Sequence, residues 1–118
     1  MQHLRAEPCS PLPGRLTEGP VWDDRRQELL WVDIPEGLVH RAALTDEQGR
    51  SDLAPVATLR FDRPVGAVLP CASGALLAAA GTSFLRLEQD RPVTEAVEIA
   101  APVLPDDGLP RRMNDAAV

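Results

Sequence analysis

Two short stretches of this sequence carry residue types that do chemistry. Leu16-Thr17-Glu18-Gly19-Pro20-Val21-Trp22 sets a carboxylate immediately before a Gly-Pro turn and an apolar run. Gly19 and Pro20 shape the backbone there and so fix where Glu18 aims. A carboxylate held in this way is a hard oxygen ligand for a divalent cation; the plainer alternative is a solvated surface acid. The second stretch is Arg111-Arg112-Met113-Asn114-Asp115. Arginine offers a planar fork of donors and asparagine both a donor and an acceptor, a pairing suited to a polyhydroxylated or carbonyl-bearing ligand. The plainer alternative is an Asx-type turn among solvated arginines.

The elements that would position these residues are short. Twelve prolines and eight glycines are spread along the chain and cut it into strand-length pieces. The pieces are Glu28–Ile34, Leu38–Leu44, Val56–Phe61, Val65–Leu69, Ala75–Ala80, Ser83–Glu88 and Val93–Ile99. Val56–Phe61 alternates with period two, Ala57, Leu59 and Phe61 on one face and Val56, Thr58 and Arg60 on the other, as in a half-exposed strand. Glu28–Ile34 is apolar on both faces, so it should lie covered on both sides.

Sliding the chain along itself by 47 residues sets Gly19-Pro20-Val21-Trp22 on Gly66-Ala67-Val68-Leu69 and Leu29-Leu30 on Leu76-Leu77. A further step from Gly66 reaches Met113, so the second motif opens a third unit where the first opens the first. The interval matches the roughly 40 to 50 residues of a four-stranded propeller blade. The sequence therefore predicts an all-β chain, about two four-stranded blades of a β-propeller (about 16–62 and 63–110) and the start of a third (about 111–118). A self-contained β-sandwich of seven or eight strands is the competing architecture.

Composition narrows the partners. All twelve basic residues are arginines, against 18 acids, for a formal charge of -6, which disfavours nucleic acid and anionic membrane surfaces. The longest apolar run, Ala75–Ala80, is far shorter than a membrane-spanning helix. The first twenty residues lack the apolar stretch of a secretory signal, so the expected setting is cytoplasmic. Cys9 and Cys71 have neither metal-site spacing nor a disulfide framework and are expected as reduced thiols. His40 is expected as a packing or surface histidine.

Taken together, Glu18-Gly-Pro-Val-Trp-Asp23, Leu29-Leu-Trp-Val-Asp-Ile34, Val39-His-Arg41, Pro64-Val-Gly-Ala-Val-Leu69 and Arg112-Met-Asn-Asp115 resemble the opening of the senescence marker protein/gluconolactonase/luciferin-regenerating-enzyme family. The resemblance implies a six-bladed β-propeller with Ca²⁺ or Zn²⁺ in its central channel, hydrolysing a sugar lactone or related ester. It implies Glu18 as a metal ligand, Arg112 and Asn114 as substrate contacts, and loop support for Asp115. Asp23 and Asp33 match the family's sequence, but turn or strand-end structure is their expected work. The family's remaining ligands and catalytic carboxylate are expected downstream of Val118, so Glu18 alone should bind metal weakly and the 118 residues alone should not hydrolyse lactones. A non-catalytic repeat protein, self-associating through exposed blade faces, is the alternative from another class.

Overall fold

The computed structural model describes residues 2–116. Eight strands form in chain order: β1 (Thr17–Asp23), β2 (Glu28–Asp33), β3 (Leu38–Glu47), β4 (Arg50–Arg60), β5 (Val65–Pro70), β6 (Leu76–Ala80), β7 (Ser83–Leu87) and β8 (Val97–Ala100). They make two four-stranded antiparallel sheets in simple sequence order, β1-β2-β3-β4 and β5-β6-β7-β8, with no strand exchanged between them. The fold is all-β, and neither sheet closes on itself.

The sheets share one apolar core. Leu30, Val32, Ile34 and Val39 of the first meet Val65, Val68, Leu76, Ala78, Ala80 and Leu85 of the second, with Phe61 of the linker between them. Burying a leucine or valine completely contributes roughly 1.5–3 kcal/mol, and Leu30, Val32, Ile34 and Val65 have no exposed surface at all. The alanines of β6 leave room for the sheets to approach, since Ala78, Ala79 and Ala80 are all buried. Period two holds in the outer strand: Ala57 and Leu59 are half-buried, and Val56, Thr58 and Arg60 are exposed.

Three expectations change. β2 is not covered on both faces: Leu30 and Val32 are buried against the second sheet, whereas Leu29 and Trp31 on the opposite face are only half-buried. The outer hairpin is longer than its apolar residues suggest, because polar residues pair across it, Thr45 with Asp52 and Asp46 with Ser51. Its turn is Gln48-Gly49, both with positive φ (53° and 75°), the geometry of a type I′ hairpin. Finally, Val93–Ile99 is not one strand. Residues Val93–Glu95 form a 3-10 turn after extended Pro92, and pairing begins only at Val97.

Polar ties join the sheets at the turns. Asp23, 1% exposed, accepts hydrogen bonds from the Arg25 and Arg26 amides and from Arg26 Nη1 (3.1, 3.3 and 2.8 Å). Arg26 Nη2 donates onward to the Gly74 carbonyl at 2.6 Å, and Arg25 donates to the Ala72 carbonyl. The β1–β2 turn thus grips the β5–β6 turn, its counterpart in the second sheet.

Candidate functional site

Both first strands of the sheets begin with the same irregularity. The β1–β2 register shifts between Glu18 and Val21, and the β5–β6 register shifts between Val65 and Ala67. Gly19 and Gly66, 47 residues apart, sit inside these shifts. Bulges of this kind bend a strand and re-aim its side chains, and they are frequent beside active sites.

A relay of main-chain bonds holds the strand entrances side by side. The Ile34 amide donates to the Leu16 carbonyl (3.0 Å), and the Val65 amide donates to the Ile34 carbonyl (3.2 Å). The pattern then recurs: Gly81 N–H donates to Pro64 (2.6 Å), and Met113 N–H donates to Gly81 (2.8 Å). The segment through Met113 also crosses directly over Gly66, where an added Cβ would lie 2.2 Å from the Met113 carbonyl oxygen. Only glycine admits that approach. Glu18, two residues beyond Leu16, and Asn114, one beyond Met113, consequently share one end of the two sheets.

At this end Arg112 and Asn114 come together. Arg112 Nη1 donates to Asn114 Oδ1 at 3.1 Å and to the Met113 carbonyl at 3.3 Å, and both side chains are exposed. The carboxamide donors of Asn114 and the remaining guanidinium donors face solvent as a pair. Asp115 accepts the Ala116 amide at 2.8 Å, a local loop contact. Asp33 accepts the Arg15 and Leu16 amides (2.8 and 3.1 Å), anchoring the entry to β1, and Asp23 organises its turn; both carry strand-end and turn structure.

Glu18 is exposed and borders a shallow depression of about 180 Å³ with Thr17, Pro20 and Trp31. Among the described residues no group of three His, Cys, Asp or Glu side chains could hold a metal ion. Calcium takes about six to eight oxygens and zinc about four ligands. Glu18 thus stands in no group of three carboxylate, imidazole or thiolate donors among the described residues.

A larger cleft of about 470 Å³ opens between the β4–β5 linker and β8, lined by Phe61, Asp62, Arg63, Leu85, Thr94 and Glu98 among others. Of its charged groups, Arg60 has no hydrogen-bond or ion-pair partner among the described residues, whereas Asp62, Arg63 and Glu98 are engaged. Arg63 hydrogen-bonds Asp62 and holds that carboxyl below the usual range, and Ser83 donates to Glu98. Cys9 and Cys71 are free thiols. No helix of the described residues is long and apolar enough to cross a membrane.

Two consecutive four-stranded antiparallel meanders with bulged first strands define an all-β chain. The chain belongs to the SMP-30/Gluconolactonase/LRE-like family, whose model matches residues 16–118. It is 29% identical to regucalcin of Macaca fascicularis over its whole length, and it spans 36% of that protein. Over 31 residues, 26% of this chain, it is 61% identical to the cell growth-regulated gene 1 protein of Candida albicans, of which the match spans 9%.

Proposed function

We propose that this chain forms one sector of a six-bladed β-propeller hydrolase acting on a sugar lactone or related ester. Its two sheets are the first two blades, and the segment from Arg111 opens the third. The observation that supports the reading best is the joint placement of Glu18 and the Arg112–Asn114 pair at one end of the sheets, held by a main-chain relay that recurs between units.

In this reading Arg112 donates to carbonyl or ring oxygens of the substrate, and Asn114 Nδ2 donates to a hydroxyl while Oδ1 remains tied to the guanidinium. The fork and the carboxamide fix orientation, which is the chief contribution a binding pair makes to such a reaction. Glu18 would supply one oxygen to a divalent cation, Ca²⁺ or Zn²⁺, whose chemistry would be to polarise the carbonyl; the family resemblance implies further ligands from the rest of the propeller. The free thiols suit a cytoplasmic setting.

The test is a chimera in which residues 16–118 replace the aligned part of regucalcin. Gluconolactone hydrolysis by the chimera, lost on Glu18→Gln or Arg112→Ala with folding intact, is the expected result. A folded chimera indifferent to both substitutions would remove the reading.

A further inference from the structure

His40 lies in the middle of the first sheet, directly opposite Trp31 of β2 and Thr58 of β4. It is 4% exposed, with its ring centroid 5.3 Å from that of Trp31. Nδ1 is 2.9 Å from the Thr58 hydroxyl, while Nε2 is buried with no hydrogen-bond partner. A buried polar atom left in that state is costly, and a ring that gains a second N–H in that position is more so.

The register shows where such a proton would find an acceptor. Asp33 pairs with Leu38, so it is the diagonal neighbour of His40 on the same face of the sheet, a separation long side chains can span. The carboxylate is already occupied by the Arg15 and Leu16 amides. Among the other charged groups around His40, Arg60 shares its face on β4, and Arg15 is ion-paired to Glu36. Trp31 and Thr58, its cross-strand partners, carry no charge. The Asp33 charge favours the imidazolium, and burial disfavours it more strongly.

We propose that His40 is a proton-operated latch of the first sheet. Neutral, it stays against Trp31 on the Thr58 hydroxyl. Protonated, its Nε2–H turns to the Asp33 carboxylate and competes with the Arg15 and Leu16 amides that hold the chain entering β1. Because Leu16 lies two residues before Glu18 and accepts from Ile34, releasing it loosens the strand entrance on which Glu18 stands. The latch is a property of the sheet and does not depend on what binds at the rim.

The experiment uses the full chain with Trp22→Phe, which leaves Trp31 as the one fluorophore, titrated from about pH 8 to about pH 5. The expected result is a reversible Trp31 fluorescence transition, accompanied at the same midpoint by severalfold faster exchange of the Arg15 and Leu16 amides after correction for intrinsic rates. Both should vanish in His40→Gln, and Asp33→Asn should shift the fluorescence midpoint to lower pH. A transition that survives His40→Gln overturns the latch. Should either variant fail to fold, the imidazole resonances of the otherwise unaltered chain give the His40 midpoint directly, and exchange at Arg15 and Leu16 that does not follow it also overturns the proposal.

Discussion

The amide of Met113 donates to the carbonyl of Gly81 at 2.8 Å, repeating one unit later the bond from Val65 to Ile34 at 3.2 Å. The bond seats Arg111–Asp115 against the second sheet, and Gly66 beneath it makes the close crossing sterically possible. An alanine at position 66 would meet the Met113 carbonyl well inside contact distance. Gly66→Ala should therefore release the 111–116 segment while both sheets persist. Limited proteolysis cutting that segment first, with an unchanged β circular-dichroism signal, is the expected pattern; equal protection in both chains would count against it.

Asp23 is buried and serves three donors, and Arg26 carries its charge across to the second sheet. Removing one partner of a buried pair leaves the other charge uncompensated, typically at a cost of about 3–5 kcal/mol. Asp23→Ala should show a loss of this order in denaturant unfolding. Arg15→Ala, which removes an exposed pair with Glu36, should change stability by less than about 1 kcal/mol.

Leu30 stands at the centre of the face that meets the second sheet. Leu30→Ala should cost about 2–5 kcal/mol by transfer and cavity terms together. Leu29→Ala, one residue away on the half-buried face, should cost clearly less. The comparison of the two unfolding midpoints checks which face of β2 carries the core.

The spacing of 47 residues, readable from Gly19-Pro-Val-Trp and Gly66-Ala-Val-Leu, sets the expectation that Met113 heads a new unit, and in the structure its amide donates to Gly81 beside the second sheet. Strand positions were readable wherever apolar residues alternate or cluster. The outer hairpin was not, because residues 45–52 are polar and look like a loop until Gln48-Gly49 supplies the turn. The Arg25 and Arg26 ties were invisible for another reason: nothing local to an arginine says which distant carbonyl its guanidinium will reach. Similarly, His40 gave no sign of its isolation, since burial of Nε2 depends on how three strands pack. At the strand entrances, the residue types and their equivalent placement were legible, and the Arg112–Asn114 hydrogen bond was not.

Burial lowers the His40 pKa below its ordinary value of 6.5, the Asp33 charge opposing in part. The folded chain then binds the proton less readily than the unfolded chain. Stability from this group is full above pH 6.5 and is lost as pH falls from there through the folded value. Denaturant midpoints should drop between about pH 7 and the onset of carboxylate titration, and His40→Gln should flatten that part of the profile. Identical slopes in the two chains would contradict this.

Glu18 has no hydrogen-bond or ion-pair partner among the described residues, and it is exposed. Glu18→Gln should leave the unfolding midpoint within about 0.5 kcal/mol of the parent. The 118-residue chain alone should show no calcium- or zinc-dependent hydrolysis of gluconolactone, measured by acid release with and without chelator. Chelator-sensitive turnover would mean that ligands are recruited from elsewhere, for instance a second copy.

The relay through Leu16, Ile34, Val65, Gly81 and Met113 is made of peptide groups alone. No side chain is consumed in building it, so replacing Glu18, Arg112 or Asn114 alters what the rim presents without disturbing the frame beneath. The sequence requirement it imposes is a prohibition: positions 34, 65, 81 and 113 must keep an N–H, which excludes proline from each. A frame specified by what it forbids leaves its chemistry open to exchange.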